Sequence, residues 1–140
     1  MAATRYSLRL MEVFRTVFYT PIHVAVAGGF LESEGLDVSF SSCPPDLGSV
    51  PNALNQGVAD ISGSGVMRSI IESDSGAQTV LPHFAEINSR DGFFVLGRES
   101  GDGFRWDSLS GATVIPVGFS AMPWASLDRK STLLNSNGNV

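Results

Sequence analysis

Residues 19–38 read YTPIHVAVAGGFLESEGLDV, and this stretch predicts a helix followed by a strand. Thr20 can cap the helix, and Pro21 suits its first helical position. The residues that follow, up to Ala27, are mostly apolar. Two glycines interrupt this pattern. From Leu36 to Phe40 apolar and polar residues alternate, which is the period of a half-buried strand.

A first strand at Leu8 to Phe14 precedes this stretch, so the sequence predicts a β-α-β unit with two parallel strands. Helices and strands then continue to alternate, which favours an α/β fold with a mostly parallel sheet and helices on both faces. The later predicted elements are a helix at Gly48–Gln56, a strand at Val58–Ile61, a helix capped by Ser64 and ending at Ser73, a strand at Thr79–Asn88, a buried run at Gly92–Gly97, one helical turn from Trp106, a strand at Ala112–Pro116 and a helix near Ser120.

The pattern also predicts which apolar side chains form the core and where the chain divides. We expect four side chains to be mostly buried: Val24, Ile61, Ile70 and Phe94. A glycine-rich break near residue 100 divides residues 1–99, a first lobe, from residues 100–127, the start of a second lobe. Residues 128–140 are polar and form an irregular tail without helix or strand period.

Composition excludes several classes of function. The 140 residues carry a net charge of −5 without a basic stripe, so nucleic acid is not an expected partner. The single cysteine excludes an internal disulfide, and the two histidines lack the spacing of a metal site, so we predict no metal. No run is long enough to span a bilayer, and the first residues lack the apolar segment of a signal peptide, so the sequence as written would be cytoplasmic.

A short polar loop follows the predicted strand at Val58–Ile61, and it allows two interpretations. Ser62, Gly63 and Ser64 form either a simple turn or a cradle for a ligand, because open α/β sheets bind ligands at the carboxyl ends of their strands. No motif of a nucleotide-binding loop or of a hydrolase nucleophile occurs in the sequence, which predicts no catalytic residue.

The stretch YTPIHVAVAGGFLESEGLDV, followed by ALNQGVADISGSG at residues 53–65, resembles the opening lobe of the NMT1/THI5-like (SsuA/THI5-like) substrate-binding proteins. Those proteins are solute receptors of ABC importers for thiamine precursors, sulfonates and related small molecules, and are typically periplasmic or extracytoplasmic. The resemblance implies a type II periplasmic-binding-protein-like lobe, a small-molecule solute, no cofactor and a cognate ABC permease as a partner. It extends over about residues 6 to 127, so the second lobe is expected to be incomplete.

The resemblance also implies where the solute binds. The positions that match the family's ligand-contacting loops form four groups: Phe14, Arg15 and Tyr19; Ser62, Gly63 and Ser64; Asn88, Ser89 and Arg90; and Gly118, Ser120 and Ala121. Two of these residues keep another interpretation open. Arg15 is either a ligand contact or a solvated charge, and Arg90 either holds an anionic group or pairs with Asp91 or Glu86.

Two alternatives to a solute receptor remain. The same superfamily contains fungal-type pyrimidine synthases that use pyridoxal phosphate on a lysine together with a cluster of cysteines. This sequence has one cysteine, and its only lysine is Lys130 in the polar tail, which argues against such an enzyme. The other alternative is a truncated fragment without a competent site.

Overall fold

Three parallel strands in the first half of the chain form a sheet. The computed structural model describes residues 5–76, 81–90, 92–98, 103–116 and 122–128. Within them, β1 is Tyr6–Glu12, β2 is Leu36–Ser42 and β3 is Ile61–Gly63, in the order β2-β1-β3. β1 therefore pairs along its whole length with β2 and, over its last three residues, with β3.

Helices alternate with these strands along the chain. The α-helices are α1 at Thr20–Ala27, α2 at Phe30–Ser33, α3 at Val50–Asn55 and α4 at Val66–Asp74. Three short 3-10 helices lie at Val17–Tyr19, Pro45–Leu47 and Trp106–Leu109, and residues 122–128 are also helical. The strand–helix–strand order predicted from residues 19–38 is confirmed, since α1 and α2 join β1 to the parallel strand β2.

The end of β1 shows that both faces of the sheet are covered. Consecutive residues of a strand point to opposite faces. Met11 packs against Val50 and Ala53 of α3, whereas the side chain of Glu12 contacts His23 of α1. Helices α3 and α1 therefore lie on opposite faces, which confirms the predicted α/β fold with a parallel sheet flanked by helices.

The ends of the helices follow local chemistry that the sequence revealed only in part. Thr20 does not cap α1; it is the first helical residue, and its hydroxyl donates to the carbonyl of Val17 at 2.6 Å. Pro21 is consequently the second helical residue and not, as predicted, the first, but it still lies in the first turn, where no backbone donor is required. Ser49 caps α3 by accepting a hydrogen bond from the amide of Asn52 at 3.3 Å.

The strand boundaries differ from the predicted ones. β1 ends at Glu12, two residues before the predicted end at Phe14. β3 begins at Ile61, where the predicted strand was expected to end. The reason is that the amides of Val58 and Ala59 both donate to the carbonyl of Ala53 at the end of α3, so they are not available to pair with β1.

Three further predictions of extended, paired structure are wrong for the described residues. Residues 81–88, 93–97 and 112–116 form no strand. Pro82 lacks the backbone donor that a paired strand needs at that position. The apolar run at residues 93–96 is exposed rather than buried, because apolar composition alone does not provide a neighbouring strand to pair with.

The described residues fall into two compact units. The first includes residues 5–65 and 81–90, and the second includes residues 66–76, 92–98, 103–116 and 122–128. The core of the first unit is formed by Met11, Val50, Ala53 and Ala59, with Leu54 packed against it. The predicted boundaries at residues 99 and 127 stay predictions.

Three of the four predicted core residues are exposed. Val24 is 52% exposed, because it lies two residues after the buried Ile22 and so about 200° around α1. Ile70 is 53% exposed, and no residue of α4 is buried, although the predicted apolar stripe is present. Phe94 is 83% exposed, while Ile61 is half-buried.

Candidate functional site

The carboxyl ends of the three strands meet around one residue, Glu12. It is the last residue of the central strand, and the sheet register places it between Ser42 of β2 and Gly63 of β3. Ligands of open α/β sheets bind at this edge, where loops leave the strands. Glu12 is nevertheless fully buried, so its carboxylate serves as a fixed point beneath the edge.

Three side chains bind the Glu12 carboxylate. Its Oε1 atom accepts hydrogen bonds from Nε of Arg15 at 2.6 Å and from the hydroxyl of Ser42 at 2.8 Å. Its Oε2 atom lies 2.7 Å from Nε2 of His23. A buried carboxylate requires such partners, because an unpaired charge in the interior is costly.

These partners determine the charge of Glu12. Burial by itself would raise the pKa of the carboxyl group, because it disfavours the ionised form. The hydrogen bonds from His23, Ser42 and Arg15, together with the positive charge of Arg15, outweigh that effect and lower the pKa of Glu12. Glu12 is therefore an ionised carboxylate at neutral pH, and it can only accept hydrogen bonds.

Phe40 of β2 contributes an aromatic surface to the same cluster. The guanidinium carbon of Arg15 lies 5.5 Å from the centre of the Phe40 ring, and the imidazole of His23 lies 5.6 Å from it. A cation over an aromatic face is attracted by the ring's electrons. Glu12 and Phe40 thus hold Arg15 from two sides, although its side chain is 68% exposed.

Arg15 retains unused hydrogen-bonding capacity. Its Nε atom binds Glu12, and its two terminal nitrogens have no hydrogen-bond partner in the part of the chain that the structure describes. A guanidinium group with a free pair of donors is suited to a planar, two-point contact with a carboxylate, sulfonate or phosphate. Arg15 therefore differs from a simple solvated charge, because its side chain binds Glu12 and lies over the ring of Phe40.

The other residues predicted in the first loop lie at the same edge. The rings of Phe14 and Tyr19 are 6.3 Å apart and tilted by 56°. The side-chain amide of Asn88 donates to the backbone carbonyl of Phe18. The segment after Pro82 is therefore tied to the loop after β1, although the two are far apart in sequence.

Gly63 lies where these loops come together. A Cβ atom placed on Gly63 would be 2.5 Å from Cδ1 of Ile22, 3.9 Å from Tyr19 and 4.0 Å from Ile87. Ser62, beside it, pairs with Met11 in the sheet. The structure thus brings residues of three of the four predicted groups together, although Ser62 and Gly63 lie in β3 rather than in a loop after it, and the described residues before Asn88 form no strand.

Ser64 has a polar side chain that makes no hydrogen bond to a described residue. Its hydroxyl oxygen is buried and has no hydrogen-bond partner among the described residues. The predicted capping of α4 by this side chain is therefore wrong, since capping requires a hydrogen bond to a backbone amide. A buried hydroxyl without a partner is one that a ligand or a water molecule can satisfy.

The remaining predicted site residues are less constrained. Ser89 and Arg90 are exposed, and Arg90 makes no hydrogen bond or ion pair with a described residue, so its predicted pairing with Glu86 is not found, while Asp91 lies outside the described residues. Gly118, Ser120 and Ala121 lie outside the described residues.

Four residues of this cluster are not identified from the sequence alone: Glu12, His23, Phe40 and Ser42. The spacing of the two histidines gives His23 no role in a metal site, and Glu12 lies inside the strand predicted at Leu8 to Phe14. The sequence does not show how β1 and β2 pair. In the structure the last pair of these strands is Glu12 with Ser42, which places Glu12 at the end of β1. Polar residues at strand termini are candidates for a site, whereas the same residues in mid-strand are not.

Two general searches found nothing among the described residues. No group of three histidine, cysteine, aspartate or glutamate side chains is arranged to hold a metal ion there. No helix in the described part of the chain is both long and apolar enough to cross a membrane. Glu12 and His23 alone are two of the three or more ligands that a metal site needs.

Comparison with known proteins gives one curated relative. No protein-family model and no solved structure matches the chain. Over 120 residues the chain is 32% identical to a protein of Bacillus subtilis (strain 168) named "Putative binding protein YtlA". The aligned region covers 86% of this chain and 36% of that protein, so the chain spans about a third of its relative's length. The similarity is consistent with a binding protein, and the narrower NMT1/THI5-like family stays a hypothesis.

Proposed function

We propose that this chain contributes a solute-binding lobe to a substrate-binding protein of an ABC importer, and that it binds a small organic molecule without transforming it. The observation that carries the proposal is the state of Arg15. This exposed guanidinium binds the buried Glu12 and lies over the ring of Phe40. Its two terminal nitrogens make no hydrogen bond to a described residue.

The surroundings of Arg15 favour binding over catalysis. Tyr19 and Phe14 offer aromatic surfaces for a flat molecule, and Ser64 offers a buried hydroxyl that lacks a partner among the described residues. The Glu12 carboxylate beside the hydroxyl of Ser42 is fully buried and engaged by three partners, so it is not available as a base towards a bound molecule. The name of the Bacillus subtilis relative is in line with a binding role.

Two solute classes suit these groups, and the resemblance names both. A thiamine-type aminopyrimidine would stack on Tyr19, whereas an alkylsulfonate would place its oxygens on the terminal nitrogens of Arg15. A cognate permease would then be the macromolecular partner of the complete receptor.

Calorimetric titration of the full chain with both candidates tests the proposal. We expect Arg15→Gln to weaken binding of the sulfonate about tenfold or more, because a charge-assisted contact is lost. The matched control is Arg5→Gln, which removes an exposed arginine paired with Glu32 and should change affinity by less than about twofold. Tyr19→Ala should weaken binding of the pyrimidine.

The outcomes separate this proposal from its alternatives. Equal losses in Arg15→Gln and Arg5→Gln would remove Arg15 from the site. Binding of neither candidate would favour the fragment without a competent site. Recovery of a chemically altered candidate from the titrated sample would favour the enzyme.

A further inference from the structure

Glu12 is too deeply buried to contact a solute, yet it binds both cationic side chains at the edge. We propose that Glu12 is the positioning residue of this site, because its one carboxylate holds both Arg15 and His23 in place. This inference rests on the proposed function, since the position of Arg15 matters for binding only if solute reaches it.

The hydrogen-bond pattern determines which nitrogen of His23 carries the proton. An ionised carboxylate can only accept, so Nε2 of His23 must donate to Oε2 of Glu12 whether the ring is neutral or charged. No described residue makes a hydrogen bond to Nδ1 of His23, so the bond to Glu12 is what fixes the tautomer of the ring.

Other charged groups near α1 are engaged elsewhere. Helix α2, which packs on α1, carries Glu32, and that carboxylate binds Arg5 at 2.9 Å. Arg9 of β1 binds Asp60. The 3-10 helix at Val17–Tyr19 also packs on α1, and none of its three residues is an acid, a lysine or an arginine. Glu12 and Arg15 are thus the charged side chains bound in one cluster with His23.

The positioning role can be tested without a ligand by nuclear magnetic resonance of the full chain. The 15N shifts of the two histidine rings and of the arginine Nε–H groups report the tautomer of His23 and the hydrogen bond of Arg15. We expect the Nε2–H tautomer for His23, and an Arg15 Nε–H signal displaced from those of exposed arginines. Glu12→Gln should weaken both features, because an amide presents either an oxygen or an NH₂ group to each partner.

The matched control is Glu32→Gln, the same chemical change at an exposed ion pair, and it should leave the signals of His23 and Arg15 unchanged. Unaltered signals in Glu12→Gln would overturn the positioning role. An Nδ1–H tautomer in the wild-type chain would overturn it as well, so the test stands even if Glu12→Gln fails to fold.

Discussion

The backbone of Gly63 runs unusually close to the side chain of Ile22. A Cβ atom at residue 63 would be 2.5 Å from Cδ1 of Ile22, closer than real Cβ contacts. The φ angle of Gly63 is not in the left-handed region, so the requirement for glycine arises from the close approach. This contact holds β3 against α1 beneath the candidate site.

We expect Gly63→Ala to destabilise the protein by about 1–3 kcal/mol, because the added methyl group overpacks a closed contact. Ile22→Val removes the clashing Cδ1 atom, so most of that loss should disappear when both changes are combined. The measurement is a double-mutant cycle of free energies of unfolding from denaturant titrations. Strictly additive effects would show that the contact with Ile22 is not what excludes a side chain at this position.

Glu12 shows why single residues of the site escaped prediction. A glutamate in a predicted strand is ordinarily a solvated residue. Its burial follows from the register with Ser42 and from the positions of His23 and Arg15, which are tertiary facts. The family resemblance predicted that the segments of Tyr19, Ser62 and Asn88 lie near one another, although Ser62 is part of β3 and no described strand precedes Asn88.

At the scale of secondary-structure elements, β1 is fastened to the turn that leads into β3. The backbone amide of Arg9 and its Nε atom both donate to Oδ2 of Asp60, at 2.8 and 3.0 Å, and the amide of Asp60 donates to the carbonyl of Arg9 at 2.9 Å. Gly57 joins this connection, since its carbonyl accepts a hydrogen bond from the Arg9 guanidinium. The connection fixes where β3 can begin.

This connection should weaken in acid. Hydrogen bonds from Arg9 lower the pKa of Asp60 to about 2 from an ordinary value of 3.8. A lowered pKa means that Asp60 stabilises the fold above about pH 4 and that this contribution disappears as the pH falls towards 2. The difference in thermal midpoint between wild type and Asp60→Asn should therefore narrow over that window. Asp37→Asn, at an exposed position of β2, is the control. A constant difference between wild type and Asp60→Asn would contradict the role of this ion pair.

The elements that the sequence predicted well are those defined by local chemistry. The periodicity of residues 19–38 and the prolines near the starts of α1 and α3 determined those elements without tertiary information. The start of β3 could not be predicted, because it depends on which amides α3 uses at its end. The wrong predictions of a buried run at Gly92–Gly97 and of a strand at Ala112–Pro116 concern apolar segments for which no described strand provides a partner.

At the scale of the whole molecule, burial is concentrated in the first unit. All six buried apolar residues among those the structure describes belong to it, including Met11, Ile22 and Val50. In the second unit, α4 has no buried residue, and Phe94 and Ile115 are largely exposed. Stability of the described fold should therefore depend mainly on the first unit, since truncation is costly only where it opens a cavity.

Two isoleucines make this difference measurable with identical chemistry. Ile22 is 8% exposed and Ile70 is 53% exposed. Ile22→Ala should lower the free energy of unfolding by about 2–4 kcal/mol, because it leaves a cavity between α1 and the sheet. Ile70→Ala should lower it by less than about 1 kcal/mol, because water already reaches the site. Chemical unfolding followed by circular dichroism gives both values. Similar losses for the two variants would mean that α4 is covered as fully as α1 in solution, and the assignment of the stable core to the first unit would then be wrong.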